Sequence, residues 1–589
     1  MTDTCQWDLT DIYVDDAAWE ADMEKIALLT EKLTAFKGTL AAIENLKDAL
    51  LLDAKLGELL EKVYGYAHMC HDLDHTDAAA QKMYDRALHA YFAVGEQTAF
   101  LMPELTALPQ DVFKTALATY PELADFAHTL ADIVRRKPYV LSTREEQLIS
   151  MASPALSSMD SAFSMLESAE LDKGTVIGEN GNTVKLTDGE FAKFRESRDR
   201  RVRADAFKTL HESFAKMGNT IAALYAGQVR ADVFEAKARG YHSVLEQALF
   251  ADNLPPTLYT GLIDAVHACL PAHYRYLELR RKALGVDRLH LYDCYIPLVD
   301  MADTTYTYED AKAQVKAYLK PLGEEYARDL EKLLAGGWVD VYEKTGKATG
   351  AYATGIYGVH PYMLLNFVGK LNDVFTLAHE AGHCMHTYYS DTQAYVNKDY
   401  PIFLAEIAST VNENLLLRGM LETTDDPRQK AYLYNHFIDE FRGTVIRQTM
   451  FAEFEMQVHA MAEAGEPLTA EVFCKVYHDL LRLYFGDKVE IDPYMDWEWA
   501  RIPHFYRAFY VFKYATGFSA AAAISKDILS TGETAPYLAF LHAGGSDYPL
   551  ETLKKAGVDL STPAPVTAAL EEFEQMTAKL AVLLEEETA

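Results

Sequence analysis

The sequence lacks the features that place a protein in a membrane or in an oxidising compartment. No stretch of its 589 residues approaches the roughly 20 consecutive apolar residues that a membrane-spanning helix needs. Its first residues are polar and acidic, without the basic and then apolar segments of a secretory signal. The six cysteines show no CxxC spacing, which is typical of free thiols in a reducing compartment. We therefore predict a cytoplasmic protein with no membrane partner.

Positive charge is also scarce in this chain. It carries 55 Lys and Arg residues against 88 Asp and Glu residues, which gives a net charge of −33. A polyanion of this kind repels nucleic acid and anionic lipid, so we expect neither as a partner. The charge does not select a substrate, because acidity also serves solubility.

Glycine and proline are sparse in the first 105 residues, and helical periodicity dominates there. Apolar residues recur at positions i, i+3, i+4 and i+7 along residues 18–50, 51–75 and 78–105. This pattern predicts a stack of long antiparallel helices. No internal repeat of fixed period and no low-complexity linker is evident.

Two segments interrupt the helical pattern. Residues 174–186 place β-rich flanks around an Asn-Gly turn, which predicts a β-hairpin. Residues 336–368 are rich in glycine and contain two apolar runs, 338–342 and 362–368. We predict a small β-sheet there, in which the run 362–368 offers a free edge that could pair with an extended peptide.

The pentad His-Glu-Ala-Gly-His at residues 379–383 follows that sheet directly. Two histidines four apart on a helix point from the same face and can bind one Zn²⁺. Glu380 then lies beside the water that the metal activates. Gly382 weakens a helix, so its presence suggests either a close approach by another segment or a simple packing need.

A catalytic zinc ion needs a third protein ligand, which must come from outside the pentad. Residues 401–415 predict a second helix that carries Glu406 and Glu413, seven positions apart and therefore on one face. One glutamate should bind the metal, and the other could hold a ligand histidine. The spacing alone leaves both assignments open.

A third segment, residues 501–517, concentrates four polar aromatic side chains: His504, Tyr506, Tyr510 and Tyr514. Such donors suit the oxyanion that forms when water attacks a carbonyl group. An aromatic core helix is the alternative interpretation, and the residues alone favour it for any single tyrosine.

Another cluster lies on a polar helix end and has two histidines four apart, His71 and His75; its members are His68, Cys70, His71, Asp72, Asp74 and His75. It resembles a metal site in composition, but no glutamate lies between its two histidines. We interpret this cluster as a solvated helix face.

Several motifs, in the same order along the chain, resemble the oligoendopeptidase F group of peptidase family M3, the zinc oligopeptidases of the thimet type. They are WDLTDIY at 7–13, GAYATG at 350–355, PYMLLN at 361–366, HEAGH with a following His386, FLAEIAST at 403–410, RIPHFY at 501–506 and GGSDYP at 544–549.

This resemblance implies a mainly helical, two-lobed zincin-type oligopeptidase, with a deep central channel and a small β-sheet next to the metal helix. It implies an N-terminal helical lobe over residues 1–190, with the hairpin near 174–186. A catalytic region containing the pentad then covers residues 191–589.

The resemblance also assigns roles to single residues. It implies one zinc ion per chain, held by His379, His383 and Glu406, and leaves Glu413 to support a ligand from behind. It makes His504 and Tyr506 substrate contacts in the catalytic site. Tyr510 is a further candidate for the same role.

From these motifs we predict a zinc metalloendopeptidase that hydrolyses internal bonds of short oligopeptides, with Glu380 as the general base. A helical zinc carboxypeptidase and a catalytically silent peptide-binding protein are the alternatives. A di-iron protein would need a second ExxH motif in partnership with the first, and we find none. The sequence does not predict the oligomeric state.

Overall fold

The computed structural model of the chain describes residues 5–299 and 305–588, and these are mainly helical, as predicted. The first twelve α-helices are α1 Asp16–Thr34, α2 Ile43–Leu73, α3 Ala78–Thr98, α4 Leu101–Ala107, α5 Gln110–Thr119, α6 Ala127–Arg136, α7 Thr143–Leu156, α8 Ser158–Met165, α9 Asp188–Phe194, α10 Arg200–Lys216, α11 Gly218–Arg239 and α12 Val244–Phe250. The remaining helices are α13 Pro256–Ala283, α14 Tyr308–Tyr318, α15 Gly323–Leu334, α16 Leu371–Ser390, α17 Ile402–Thr423, α18 Pro427–Phe441, α19 Arg447–Glu463, α20 Ala470–Phe485, α21 Phe512–Thr531, α22 Ala535–Leu541, α23 Pro549–Lys555 and α24 Ala564–Thr588.

The breaks between the first helices differ from those predicted. Residues 18–50 are not one helix, because α1 ends at Thr34 and α2 begins at Ile43. Gly38 lies between them with φ of +78°, a left-handed conformation that favours glycine. The predicted break after residue 50 is absent, because α2 continues through it and buries Leu50 and Leu56 on its core side.

In the described residues, seven short strands form three small sheets. They are β1 Thr175–Ile177, β2 Thr183–Lys185, β3 Leu289–His290, β4 Val339–Asp340, β5 Tyr352–Thr354, β6 Tyr362–Leu364 and β7 Val489–Glu490. The antiparallel pair β1–β2 confirms the predicted hairpin, with Val176 opposite Val184. The pair β3–β7 is parallel, and the third sheet has the order β4-β6-β5.

The three-stranded sheet confirms the predicted sheet before the pentad but corrects its edge. Strand β6 lies in the middle, parallel to β4 and antiparallel to β5, and all its residues are buried. The prediction that residues 362–368 offer a free edge is therefore wrong, since β6 pairs on both sides. The outer side of β4 is covered by residues 5–8: Val341 N–H donates to Cys5 C=O at 3.0 Å, and Asp8 N–H donates to Gly337 C=O at 2.7 Å. The other outer strand of this sheet, β5, has no backbone segment bonded to its outer side among the described residues.

The N-terminal helices and this sheet share one hydrophobic core. Trp19 of α1, Val63 of α2 and Leu364 of β6 belong to the same buried cluster. Trp7 packs edge-on against Tyr362 and donates its indole N–H to the Met363 carbonyl at 2.8 Å. The sheet before the pentad is thus held by the first residues of the chain as well as by its own strands.

The described residues divide into two compact units, and neither is continuous in sequence. The first unit is drawn from Met1–Thr143, Asp303–Gly419 and Ile524–Val558. The second is drawn from Arg144–Ala302, Met420–Ala523 and Asp559–Ala589. Neither unit matches residues 1–190 or 191–589, so that division into regions along the chain stays a prediction.

No helix within residues 5–299 or 305–588 combines the length and apolar character needed to cross a bilayer. The cytoplasmic location stays a prediction of the sequence.

Candidate metal centre

Helix α16 carries the pentad, and its start is fixed by a carboxylate of its own first turn. Asp373 accepts hydrogen bonds from Lys370 N–H at 2.8 Å and Val368 N–H at 3.1 Å. These bonds hold the chain that enters the helix, as an acidic residue in a first turn commonly does. The pentad then occupies the middle of a 20-residue helix, where its side chains have fixed directions.

His379, His383 and Glu406 converge at one point of the first unit. Glu406 Oε2 lies 3.5 Å from Nε2 of each histidine, and the two imidazole rings meet edge to face. One ligand atom from each residue lies within 4.8 Å of the others. Ligands bound tetrahedrally at about 2.1 Å are separated by about 3.4 Å, so two nitrogens and a carboxylate at this spacing suit one zinc ion.

The close approach of α17 to α16 explains the glycine of the pentad. A Cβ atom on Gly382 would lie 2.5 Å from Ser409 Cα and 2.6 Å from the Ala408 carbonyl oxygen. Both are backbone atoms, so no side-chain rotation would relieve the overlap. The suggestion that a segment approaches Gly382 is confirmed, and that segment is the turn of α17 that follows Glu406.

Asn412 ties the two helices together one turn further along. Its buried amide donates to the Ala378 carbonyl of α16 at 3.0 Å and accepts a hydrogen bond from the Tyr326 hydroxyl at 3.0 Å. The sequence analysis missed this residue. The available signal was an asparagine at helical spacing from the apolar Ala408 and Leu416, because a buried amide needs partners.

Glu413 lies behind His379. Nδ1 of His379 donates to Glu413 Oε1 over 3.2 Å while Nε2 of the same ring lies toward Glu406. Burial is the largest single influence on the pKa of His379 and lowers it. The bond to Glu413 and the charges of the nearby carboxylates together exceed this effect and raise the pKa to about 9. A carboxylate on the far nitrogen fixes the ring orientation and the tautomer of a ligand histidine.

The other two carboxylates of the centre differ in proton affinity. Glu380 is buried, and desolvation raises its pKa above the ordinary value. The hydrogen bond with His383 is the largest influence on Glu406 and lowers its pKa. One carboxylate therefore holds a proton more tightly than usual, whereas the other stays ionised, and such a separation is typical of sites that transfer protons.

His386 lies near the pentad but outside the cluster. Its ring is buried and stacked on Tyr400 at a centroid distance of 3.6 Å. Burial lowers its pKa to about 3, so the ring is neutral near pH 7. This position agrees with the interpretation that His386 flanks the metal centre without binding the ion.

The segment that carries the predicted oxyanion donors belongs to the second unit and is not a regular helix. A 3₁₀ turn covers Pro503–Tyr506, and α21 begins only at Phe512. His504 Nε2 lies 3.4 Å from the Tyr514 hydroxyl, and the Tyr510 ring packs edge-on against Tyr514. The structure thus groups His504 with Tyr510 and Tyr514.

Tyr506 lies apart from these three residues. Its ring is buried and stacks on Phe163 at a centroid distance of 4.5 Å. Its hydroxyl is buried without a hydrogen-bond partner among the described residues.

Burial lowers the pKa of His504, whose imidazole is therefore neutral near pH 7. The role of each residue in catalysis stays a prediction.

The backbone of the segment 501–517 is strained at Phe509. Phe509 has φ of +57°, a conformation that costs a bulky residue about 1–2 kcal/mol. Its N–H donates at 3.0 Å to Glu455, a fully buried carboxyl group of α19. Burial raises the pKa of Glu455 well above its ordinary value, and the bond from Phe509 offsets only part of that effect. This buried carboxyl group thus holds the backbone next to Tyr510, and no local sequence pattern indicates this contact.

The chain is thus a mainly helical protein whose HExxH helix and following helix form one candidate metal centre. Comparison with known proteins identifies its family. A sequence profile of Peptidase family M3 matches residues 193–572, and a profile of Oligopeptidase F matches residues 104–172. The chain belongs to peptidase family M3 and is a peptidase, and the predicted resemblance to oligoendopeptidase F is confirmed.

Relatives among curated proteins match over nearly the whole chain. Oligopeptidase PepF of Bacillus subtilis is 42% identical over 98% of this chain and 87% of its own length. An oligoendopeptidase F homolog of Lactococcus lactis is 37% identical over 99% and 98% of the two chains. A solved structure of oligoendopeptidase-F from Enterococcus faecium superposes with a TM-score of 0.76, at 36% identity over 97% and 99% of the chains.

The close contact at Gly382 predicts the effect of adding one methyl group. We expect Gly382→Ala to force α16 and α17 apart by about 1 Å, because non-bonded carbon atoms settle near 3.5–4.0 Å. The change should weaken zinc binding by about tenfold or more, as disturbed support of metal ligands does. Competition with a chromogenic chelator measures this affinity.

Gly95 of α3 provides the matched control, because a Cβ atom there would meet nothing within 4 Å. Gly95→Ala should raise the free energy of unfolding by up to about 1 kcal/mol and leave zinc affinity unchanged. Normal zinc affinity in Gly382→Ala would show that the helix contact does not set the spacing of the ligands.

The bond between His379 and Glu413 predicts a second effect on zinc binding. Glu413→Gln keeps the size of the side chain but removes the charge that makes the ligand imidazole more basic. Zinc affinity should fall by about 10–100-fold. Glu422→Gln, an exposed position of the same helix α17, is the control and should bind zinc like the original protein. Equal affinities for the two variants would contradict a supporting role for Glu413.

The buried Glu455 predicts a pH dependence of stability. Its pKa is raised in the folded chain, so the folded state holds the proton more tightly and loses stability as pH rises above about 4.5. Gln does not titrate and can still accept from Phe509 N–H. The unfolding free energy of Glu455→Gln, relative to the original, should therefore increase between pH 5 and pH 8, by up to about 1.4 kcal/mol per pH unit.

Urea unfolding at several pH values measures this difference. Glu455→Leu is the comparison variant, because it leaves the Phe509 N–H buried and unpaired at a cost of about 1–3 kcal/mol at every pH. A constant difference between Glu455→Gln and the original from pH 5 to 8 would mean that Glu455 is not protonated in the folded protein.

Proposed function

We propose that this peptidase is a zinc endopeptidase that cleaves internal bonds of short peptides. One observation carries the proposal. Glu406 Oε2 lies at equal distances of 3.5 Å from Nε2 of His379 and of His383, in a chain of peptidase family M3. The buried Glu380 projects from the same helix as both histidines.

The donor set fits one Zn²⁺ ion per chain. His379, His383 and Glu406 would hold it, since two imidazoles and one carboxylate are a usual catalytic set that leaves a position open. When bound, zinc supplies a Lewis acid that polarises a carbonyl group and makes water a better nucleophile near neutral pH. Glu413 keeps the His379 ring oriented through its bond to Nδ1.

Glu380 is the proposed general base. Its raised pKa makes the carboxylate a stronger base than an exposed glutamate, because burial disfavours the charged form. In this proposal Glu380 accepts a proton from the attacking water and then delivers it to the nitrogen of the leaving amine. The proton is thus conserved through one cycle, and the carboxylate is regenerated.

The outer side of β5 is the proposed place for the peptide backbone. Strand β5 packs close to the metal helix: a Cβ on Gly355, the residue after β5, would lie 2.3 Å from Thr387 Cγ2 of α16. An extended peptide that pairs with this edge would be bound mainly through its backbone. Side-chain preference should then be broad, which suits an enzyme whose relatives carry the name oligoendopeptidase.

We further propose that His504 stabilises the oxyanion formed on the peptide carbonyl. Its neutral imidazole can donate one hydrogen bond, and its segment matches the corresponding family motif. Tyr510 is the second candidate. The buried hydroxyl of Tyr506 makes this tyrosine the weakest candidate for direct contact with a substrate.

Products from a graded series of peptides test the whole proposal. Peptides of about 5 to 30 residues, blocked at both termini, should be cut internally, with length-dependent rates, as mass spectrometry would show. Glu380→Gln should keep its zinc and lose about 10²–10⁴-fold in kcat, the usual contribution of a general base. Glu422→Gln should cleave at the original rate.

The other outcomes identify the alternatives. Removal of single residues from peptides with free C-termini, with no cleavage of blocked ones, would indicate a carboxypeptidase. Zinc binding with no cleavage of any peptide would indicate a silent binding protein. Undiminished turnover by Glu380→Gln would remove this residue as the base. In the same assay His504→Phe should lower kcat more than it raises KM, and the opposite result would contradict its role at the oxyanion.

A further inference from the structure

A second cluster of potential metal ligands lies at the end of α2, in the first unit. His71, Asp72 and His75 each place one ligand atom within 4.8 Å of the others. Nε2 of His71 lies 3.3 Å from Nδ1 of His75, and the two rings meet at a centroid distance of 4.4 Å. This cluster shares no residue with the metal centre formed by α16 and α17.

The structure changes the interpretation of this cluster as a solvated helix face. Asp72 is only 7% exposed, and His71 is half-buried. The His71 ring stacks almost parallel on Tyr84 of α3, with an interplanar angle of 8° and a centroid distance of 5.0 Å. Only His75 is exposed. Two of the three side chains are therefore fixed by packing, which is the condition under which ligands lose little entropy on binding.

The spacing of the donors suits a transition metal. Two nitrogens bound tetrahedrally at about 2.0–2.1 Å lie about 3.3 Å apart, which is the separation of the His71 and His75 nitrogens. The amide oxygen of Gln81 lies 2.8 Å from His71 Nε2, so an ion at Nε2 would replace the proton that this nitrogen donates to Gln81. The carboxylate of Asp72 balances the charge of a divalent cation. Two imidazole nitrogens favour Zn²⁺, Ni²⁺ or Cu²⁺ over Ca²⁺ or Mg²⁺.

Coordination at His71 Nε2 requires the tautomer that carries its proton on Nδ1. Asp72 Oδ1 lies 3.9 Å from that nitrogen, so its negative charge favours this tautomer. A carboxylate likewise lies on the Nδ1 side of His379 in the first centre. The same arrangement of ring and carboxylate thus occurs twice in the first unit.

The cluster is bonded to the segment that leads into β5. Ala348 N–H donates to the Asp72 carbonyl at 2.9 Å, and His75 N–H donates to the Gly346 carbonyl at 2.7 Å. The hydroxyl of Tyr352, the first residue of β5, donates to the Asp72 carboxylate at 2.6 Å. Three hydrogen bonds therefore join residues 72–75 to residues 346–352.

We infer that His71 and His75 bind a divalent transition metal at a second site, with Asp72 behind the His71 ring, and that this ion stabilises the segment 346–352 and with it the start of β5. The ion would bind the side chains of residues whose backbones and carboxylate already hold that segment. Its affinity should be lower than that of the first centre, because His75 is exposed and must become ordered. This second site takes part in no step of the proposed peptide hydrolysis.

Zinc titration of the full chain tests this site. Protein already loaded with one equivalent of Zn²⁺ should bind a second, weaker equivalent in calorimetry. His75→Ala should weaken only this second equivalent, by more than about tenfold. Because His75 is exposed, this variant should fold like the original protein. His89→Ala, which removes an exposed histidine of α3 outside the cluster, is the matched control and should keep both equivalents.

Hydrogen exchange provides a second, independent measurement. The second equivalent of zinc should slow exchange of amides in residues 346–352 in the original protein and in His89→Ala, but not in His75→Ala. A protein that takes up only one zinc, or a His75→Ala variant that binds the second equivalent normally, would overturn the inference. Unchanged exchange despite binding would overturn the part that concerns β5. Peptidase activity enters neither measurement, so failure of the proposed function would be recognised separately.

Discussion

The candidate metal centre depends on one contact between two helix backbones. Helix α17 approaches α16 so closely that Gly382 has no room for a side chain, and the contact lies between the two histidines and Glu406. At this distance Glu406 can reach both imidazole rings with one oxygen atom. Further along α17, Asn412 donates a hydrogen bond to the carbonyl of Ala378, the residue before His379. Glu413 accepts a hydrogen bond from the His379 ring. A longer side chain at position 382 would disturb all of these contacts together.

Much of this centre could be predicted because it depends on helical periodicity. Histidines four apart and glutamates seven apart have fixed relative directions on a helix, so the pentad and the two carboxylates indicated a shared site. The spacing could not separate Glu406 from Glu413, because that choice depends on the angle and depth at which two helices pack. Only the family resemblance favoured Glu406 in the sequence, and the geometry agrees with it.

Contacts between distant parts of the chain escaped prediction. The sequence indicated the strands of the small sheet but not their order, and so the wrong strand was expected at the edge. Strand order depends on pairing partners, to which a run of apolar residues gives no clue. Likewise, nothing near Phe509 indicates that Glu455, 54 residues earlier, holds its backbone. The Tyr506 ring packs against Phe163 in a core. The sequence does not indicate this, because a tyrosine ring suits both a core and a substrate site.

The strap formed by residues 5–8 has a consequence for the behaviour of the chain in solution. Open strand edges join readily to one another, and proteins avoid this by covering them. Here residues 5–8 cover the outer side of β4, so in this sheet, among the described residues, the outer side of β5 remains for an extended partner. An extended segment can thus pair with β5, whereas β4 offers it no open side. Trimming those few residues would give the sheet two reactive borders and make neighbouring molecules prone to join through them.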